Sequence, residues 1–191
     1  MKIILASASP RRVELLKSFH LPFDVIPSAI EEVTMPHETP TQIVMSLALE
    51  KAINISQIYP EALVIASDTI VFKDEVLGKP KDREDAKRML VKLSGQTHEV
   101  YTGIALVHFA SNQSIIDYEC TLVTFNTLDE IEIDDYLNTG EAFDKAGAYG
   151  IQGYGALLVK KIDGDYFNVM GLPLSKLNNL LKKHFQLNLL K

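Results

Sequence analysis

Along the chain, short apolar runs of strand length alternate with longer stretches whose apolar residues recur three or four apart. Lys2 to Ser7 reads as a short buried strand. Pro10 to about Phe19 reads as a helix, with Val13, Leu15, Leu16 and Phe19 forming its apolar side. Pro22 to Pro27 is expected to be extended. Thr39-Pro40-Thr41-Gln42 has the form of a helix start: Thr39 caps, Pro40 suits the first helical position, and Gln42 reaches back. That helix is predicted to run to about Tyr59. Ala62 to Phe72 reads as a strongly apolar strand, interrupted by Ser67-Asp68-Thr69.

Asp82 is expected to cap a further helix that stops at Gly95, after Leu90 and Leu93. Glu99 to His108 and Ser114 to Asn126 read as paired strands. Thr127 and Glu130 form a second capping-box pattern, opening a helix that ends near Gly140. Two short strands, Ala156 to Lys161 and Tyr166 to Met170, precede a final amphipathic helix after Pro173. There is no internal repeat, low-complexity tract or obvious linker. This interleaving predicts α/β architecture. The adjacent late strands predict a mixed sheet rather than a purely parallel one.

Composition narrows the class without naming a function. A chain of 191 residues, 47% hydrophobic and 23% charged, has enough apolar material for a sizeable core. A net charge of -6 argues weakly against a general nucleic-acid binder, which usually carries a basic excess. Cys120 is the only cysteine, so an intrachain disulfide and a cysteine zinc cluster are both excluded. It reads as a packed strand residue. The Ile3-Ile4-Leu5-Ala6 run is too short for a signal-peptide apolar region and meets Pro10-Arg11-Arg12 at once. No apolar stretch approaches the roughly 20 residues that span a bilayer. A cytoplasmic location, away from membranes, is the expectation.

Four groups of residues carry candidate chemistry. Ser7-Ala8-Ser9-Pro10-Arg11-Arg12 lies where the first strand turns into the first helix. Such a turn points backbone N–H groups outward, and the helix dipole favours an anion there. Ser7 and Ser9 add hydroxyls, and Arg11 and Arg12 add forked cations suited to phosphate oxygens. The plainer alternative has Ser9 capping the helix and the arginines in solvent. Asp68 is a carboxylate inside an otherwise apolar strand, which is costly unless it is paired or metal-bound. It reads either as a salt bridge to Lys51 or Lys79, or as a metal ligand or general base acting on water.

Glu31 and Glu32, with Lys51 and Lys79, offer acids for a hard cation and bases for a polyphosphate, a pattern that suits magnesium. Asp144 to Gly153 holds three glycines and two small alanines, with Asp144, Lys145 and Gln152 supplying polar groups. Backbone of this composition can approach a ligand closely. His98 is more often structural in such a setting. There is no Walker-type loop and no nucleophile elbow.

These motifs together resemble the Maf family. Those that carry the resemblance are Leu5 to Arg12, Ala66-Ser67-Asp68-Thr69, Leu77-Gly78-Lys79-Pro80, Leu93 to His98, Asp144 to Gly153, and Val169-Met170-Gly171-Leu172-Pro173. The resemblance runs from residue 3 to about 175. It implies a single Maf-like domain over residues 1–191, with a mixed elongated sheet flanked by helices. It also implies two lobes with a central cleft, as in the inosine-triphosphate pyrophosphatases. The implied activity is hydrolysis of a nucleoside triphosphate to the monophosphate and pyrophosphate, with a divalent cation such as magnesium or manganese, in a cytoplasmic homodimer.

Position by position, the resemblance implies phosphate binding by Ser7, Arg11, Arg12, Lys51 and Lys79. It implies Asp68 as proton acceptor, Glu32 with Asp68 at the metal, and Arg11, Thr69 and Gln152 at the positions linked to substrate choice. The Ala-Gly-Ala-Tyr-Gly-Ile-Gln-Gly form resembles the branch acting on dTTP and UTP. Gln152 offers a donor and an acceptor, as uracil and thymine do along their O4 and N3 edge, provided that neighbours lock its orientation. Two other readings compete: a regulator of septum formation that binds nucleic acid or a partner, and a nucleotide sensor without turnover. The acidic balance and Asp68 within a phosphate-binding set favour an enzyme.

Overall fold

The computed structural model describes every residue of the chain except 32, 34 and 36. Among the described residues the strands and α-helices follow in the order β1 (Lys2–Leu5), α1 (Pro10–Lys17), β2 (Asp24–Val25), α2 (Pro40–Ile58), β3 (Ala62–Phe72), β4 (Val76–Leu77), α3 (Arg83–Leu93), β5 (Thr97–His108), β6 (Gln113–Phe125), α4 (Glu130–Asn138), β7 (Val159–Asp163), α5 (Tyr166–Val169) and α6 (Leu174–Phe185). The strands form one sheet in the order β2-β1-β3-β5-β6-β7, with β4 paired to β3. β1 runs parallel to β2 and β3, whereas β4 lies antiparallel to β3 and β7 to β6. The architecture is therefore α/β, as the interleaving predicts, and the sheet is mixed through the antiparallel pairs β3–β4 and β6–β7.

Local capping explains most helix starts. The Thr39–Gln42 box of α2 closes in both directions, and Asp82 accepts from the Asp85 N–H at the start of α3. The box of α4 is Asp129 with Glu132, two residues beyond the expected Thr127 and Glu130. An ionised Asp is the better acceptor at a helix N-terminus, where the dipole also favours it.

The expected strand from Tyr166 to Met170 is a correction: Tyr166–Val169 is a single helical turn. There the Asp165 carboxylate accepts from the Phe167 N–H, and the buried Asn168 amide donates to the Val100 carbonyl and the Thr121 hydroxyl. Those tertiary bonds outweigh the strand preference of Tyr, Phe and Val. The strand expected from Ala156 begins only at Val159, because Gly153–Leu157 winds into a 3-10 turn.

The chain divides into two compact units. The first comprises residues 1–68, 102–119 and 171–191. In its core, Ala48, Ala52 and Ile55 of α2 pack on Ile4, Val64, Ala66 and Ala105 of the sheet. Small residues on the helix let it lie close to the strands. The second unit comprises residues 69–101 and 120–170. Its core gathers Met89, Leu90 and Leu93 of α3, Ile133 and Leu137 of α4, and Val100, Val123 and Phe125 of the sheet. The chain passes from one unit to the other after residues 68, 101, 119 and 170, so Asp68 and Thr69 belong to different units. Among the described residues no helix is long and apolar enough to cross a membrane.

Candidate active site

In the first unit, β1 ends at Leu5 and the chain turns before α1. The Ser7 hydroxyl, buried in this turn, accepts from the Ser9 N–H at 3.1 Å. Ser9 occupies the N-cap position with Pro10 following it, yet its hydroxyl makes no capping bond. This start differs from those of α2, α3 and α4, each of which has a side-chain cap. The reading of Ser9 as a plain cap therefore fails on its hydroxyl, and Arg11 and Arg12 stand half-buried in the first turn.

Arg12 is held hard in place. Its Nε donates to the Gly171 carbonyl and its Nη1 to the Ser67 carbonyl, both at 2.8 Å. The Ser67 hydroxyl donates to the same Gly171 oxygen at 3.0 Å. Three of the sequence motifs thus meet at one carbonyl. Hydrogen bonds from a charged donor contribute about 1.5–3 kcal/mol each. They also fix the backbone immediately before Asp68.

Asp68 has a partner, and it is Lys51 rather than Lys79. Lys51 Nζ donates to Asp68 Oδ1 at 2.6 Å, with the two side chains only 13% and 10% exposed. α2 sets Lys51 beside the buried Ala52, so the ammonium reaches the strand from an apolar helix face. Breaking such a pair from one side costs about 3–5 kcal/mol, because the remaining charge stays buried. The pair explains how an apolar strand tolerates the carboxylate, and it leaves the second carboxylate oxygen for other work.

In the second unit, Thr69 is half-buried on β3, and Lys79 is exposed just after β4. The turn that carries Lys79 is tied to the glycine-rich segment, since the Gly147 N–H donates to the Gly78 carbonyl at 3.0 Å. Gly147 has φ 68°, and a Cβ there would come within 2.9 Å of Val71 Cγ2. Both facts require glycine. Ala148 follows at φ 59°, a left-handed conformation that is strained for a residue with a Cβ. Gln152 is exposed at the head of the 3-10 turn Gly153–Leu157.

His98 supports this segment. Its Nε2 lies 2.7 Å from the Tyr149 hydroxyl, and both rings pack edge-to-face with Phe125. Burial, helped by the charge of Lys73, pushes the His98 pKa down to about 4. Burial likewise pushes the Tyr149 hydroxyl up, helped by Tyr136. The imidazole is therefore neutral near pH 7, and its Nδ1 is buried without a hydrogen-bond partner. A sequence reading leaves Tyr136 and Glu141 unmarked, although both bond the segment. An acid three residues before the glycine-rich run is the one signal that could have marked Glu141.

Glu32, expected at a metal, lies outside the described residues. Its neighbour Glu31 is exposed. Among the described residues no three His, Cys, Asp or Glu side chains gather as a cation cage. A magnesium-like ion does not need one, since it is held by one or two carboxylates and the phosphates of its substrate. Asp68 is a carboxylate of the kind such an ion takes.

Comparison with known proteins places this geometry in context. The family model described as Maf-like protein matches residues 2–184. A dTTP/UTP pyrophosphatase of Clostridioides difficile (strain 630) is 53% identical over 190 residues, covering 99% of this chain and 98% of its own length. A dTTP/UTP pyrophosphatase of Thermoanaerobacter sp. (strain X514) is 51% identical over the full length of both chains. Among solved structures, a HAM1 protein from Coxiella burnetii matches with a TM-score of 0.53 at 15% identity, covering 96% of this chain and 99% of that one. That last likeness concerns the fold alone.

Proposed function

The chain belongs to the Maf-like family, and from that premise we propose that it is a nucleoside triphosphate pyrophosphatase acting on dTTP and UTP. The full-length relatives at about half identity carry that name. The observation in this chain that carries the reading is the buried Lys51–Asp68 pair, next to the Ser67 carbonyl that Arg12 grips.

In the proposed reaction, water attacks the α-phosphorus and the bond to the α–β bridging oxygen breaks. That oxygen leaves with pyrophosphate, and the nucleoside monophosphate remains. Asp68 accepts the proton of the attacking water, and Lys51 holds the carboxylate in position. Ser7, Arg11, Arg12, Lys51 and Lys79 are the proposed phosphate-binding residues. Arg11, Thr69 and Gln152 are the proposed determinants of base choice. Fixed positive groups and N–H dipoles stabilise charge on the transferring phosphoryl group without reorganising as it develops.

A magnesium or manganese ion, when bound, neutralises phosphate charge; Asp68 is its proposed ligand here, with Glu32. A cytoplasmic homodimer completes the proposal, and sedimentation of the purified protein tests the dimer. The activity is tested by incubating purified protein with each common triphosphate and magnesium. UTP and dTTP should give monophosphate and pyrophosphate, with CTP slower and purines slowest. Diphosphate with orthophosphate, or no product from UTP and dTTP, overturns the proposal.

A further inference from the structure

Gln152 sits at the N-cap of the 3-10 turn Gly153–Leu157 but makes no capping bond with its own side chain. The second and third N–H groups of that turn belong to Tyr154 and Gly155, the donors that a cap residue usually satisfies. Both are satisfied by Glu141 instead. The Tyr154 N–H donates to Oε1 at 3.2 Å and the Gly155 N–H to Oε2 at 3.3 Å, one bond to each carboxylate oxygen. The carboxylate lies so close that a Cβ on Gly153 would sit 2.3 Å from Oε1. On the other side of Gln152, the Gly150 N–H donates to the Tyr136 hydroxyl at 3.2 Å.

The backbone around Gln152 is thus pinned before and after it, and a residue eleven positions upstream performs its capping. That arrangement leaves the Gln152 amide for a ligand. We propose that Glu141 is a positioning residue for pyrimidine selection: it caps the Gly153–Leu157 turn in place of Gln152, so that the Gln152 amide meets the O4 and N3 edge of uracil or thymine. This rests on the reading that Gln152 contacts the base. Glu141 itself touches no substrate.

Glu141→Gln keeps the length of the side chain but replaces one acceptor by an NH2 group that faces an N–H donor. Steady-state kinetics on UTP and CTP, together with calorimetric Kd values for both in the absence of divalent metal, read the effect. The ratio of kcat/KM for UTP over CTP should fall about tenfold, mainly through KM for UTP, a scale within what a small misplacement costs. The Kd ratio should fall in parallel. Tyr136→Phe, which removes the hydroxyl that accepts from the Gly150 N–H, should lower the ratio in the same direction by less, and it carries the test if Glu141→Gln does not fold.

Gln152→Ala is the control for the underlying reading. It should blunt the ratio by itself, and adding Glu141→Gln to it should blunt the ratio no further. An equal loss on UTP and CTP in the folded Glu141 variant makes the residue merely structural and overturns the proposal. A ratio that survives Gln152→Ala overturns the base-contact reading, and this proposal with it.

Discussion

In the first unit the charged side chains are themselves the struts: Lys51 bonds Asp68, and Arg12 clamps the carbonyls of Ser67 and Gly171. In the second unit the struts act on backbone: Tyr136 and Glu141 bond the N–H groups on either side of Gln152, whose own side chain is exposed. Within the proposed function, the difference teaches how a charged pair and a base-selecting amide would each be held. Phosphate chemistry needs fixed charge, and charge in a dry site must be paired to be tolerated. Base selection needs a polar amide whose bonds are left for the ligand, so rigidity comes from the chain that carries it. The described bonds fix the backbone on either side of Gln152 and not the rotation of its amide, the lock that the sequence reading called for.

The sharpest way to break this contrast is Asp68→Asn. The amide oxygen still accepts from Lys51 but no longer neutralises it, so stability should drop by up to about 3–5 kcal/mol, while turnover of UTP per folded molecule falls about 10²- to 10⁴-fold, the scale for a general base. Near-normal turnover in a folded variant would remove Asp68 from the chemistry and leave it a strut alone.

Next in size is an acid effect confined to the second unit. His98 titrates near 6.5 when unfolded but near 4 in the folded chain. Between those values the unfolded chain binds the extra proton, so stability should fall as pH drops from 6.5 to 4. It should level off below 4 and show no His98 contribution above 6.5. The full effect is about 3 kcal/mol. Urea unfolding across this range should show an acid limb that flattens in His98→Gln. An identical slope in both proteins would exclude His98 as its source.

Arg12→Ala tests whether a strut in the first unit also acts on phosphate. Losing two charge-assisted bonds of a half-buried side chain should cost about 3 kcal/mol of stability, the lower end of the range for two such bonds. Turnover per folded molecule should fall as well. If melting drops while turnover per folded molecule stays at the level of the parent, Arg12 is a clamp only.

The smallest expected effect is that of Gly147→Ala, at about 2 kcal/mol, from the left-handed φ and the approach of Val71. Its selectivity between UTP and CTP should decline alongside. Unchanged melting would show that the segment relaxes freely, contrary to a backbone held rigid.

Much of the fold was legible from the sequence because its determinants are local. The cap of α2 joins residues three apart, and the eleven residues of β3 announce themselves as one apolar run. Where local signals competed, reading faltered. Thr127 and Asp129 both suit a helix start, and the box closes at Asp129, the better acceptor beside the helix dipole. Tyr166 to Met170 has strand-forming residues, but Asn168 is drawn into bonds with Val100 and Thr121.

The candidate site divides in the same manner. Its residue types were visible because phosphate and proton chemistry need particular side chains. A carboxylate in an apolar strand and paired arginines at a helix start are conspicuous in any chain. Which lysine neutralises Asp68 was open between Lys51 and Lys79, since charge alone cannot choose among distant partners. The bonds from Arg12 span 55 and 159 residues, and those from the glycine-rich segment reach back to Tyr136 and Glu141. The sequence by itself determined the α/β class, the main helix caps and the cast of reactive groups, through short-range bonds and the cost of burying charge. Only the tertiary structure decided who holds whom, because a contact between remote residues depends on the packing of everything that lies between them in the chain.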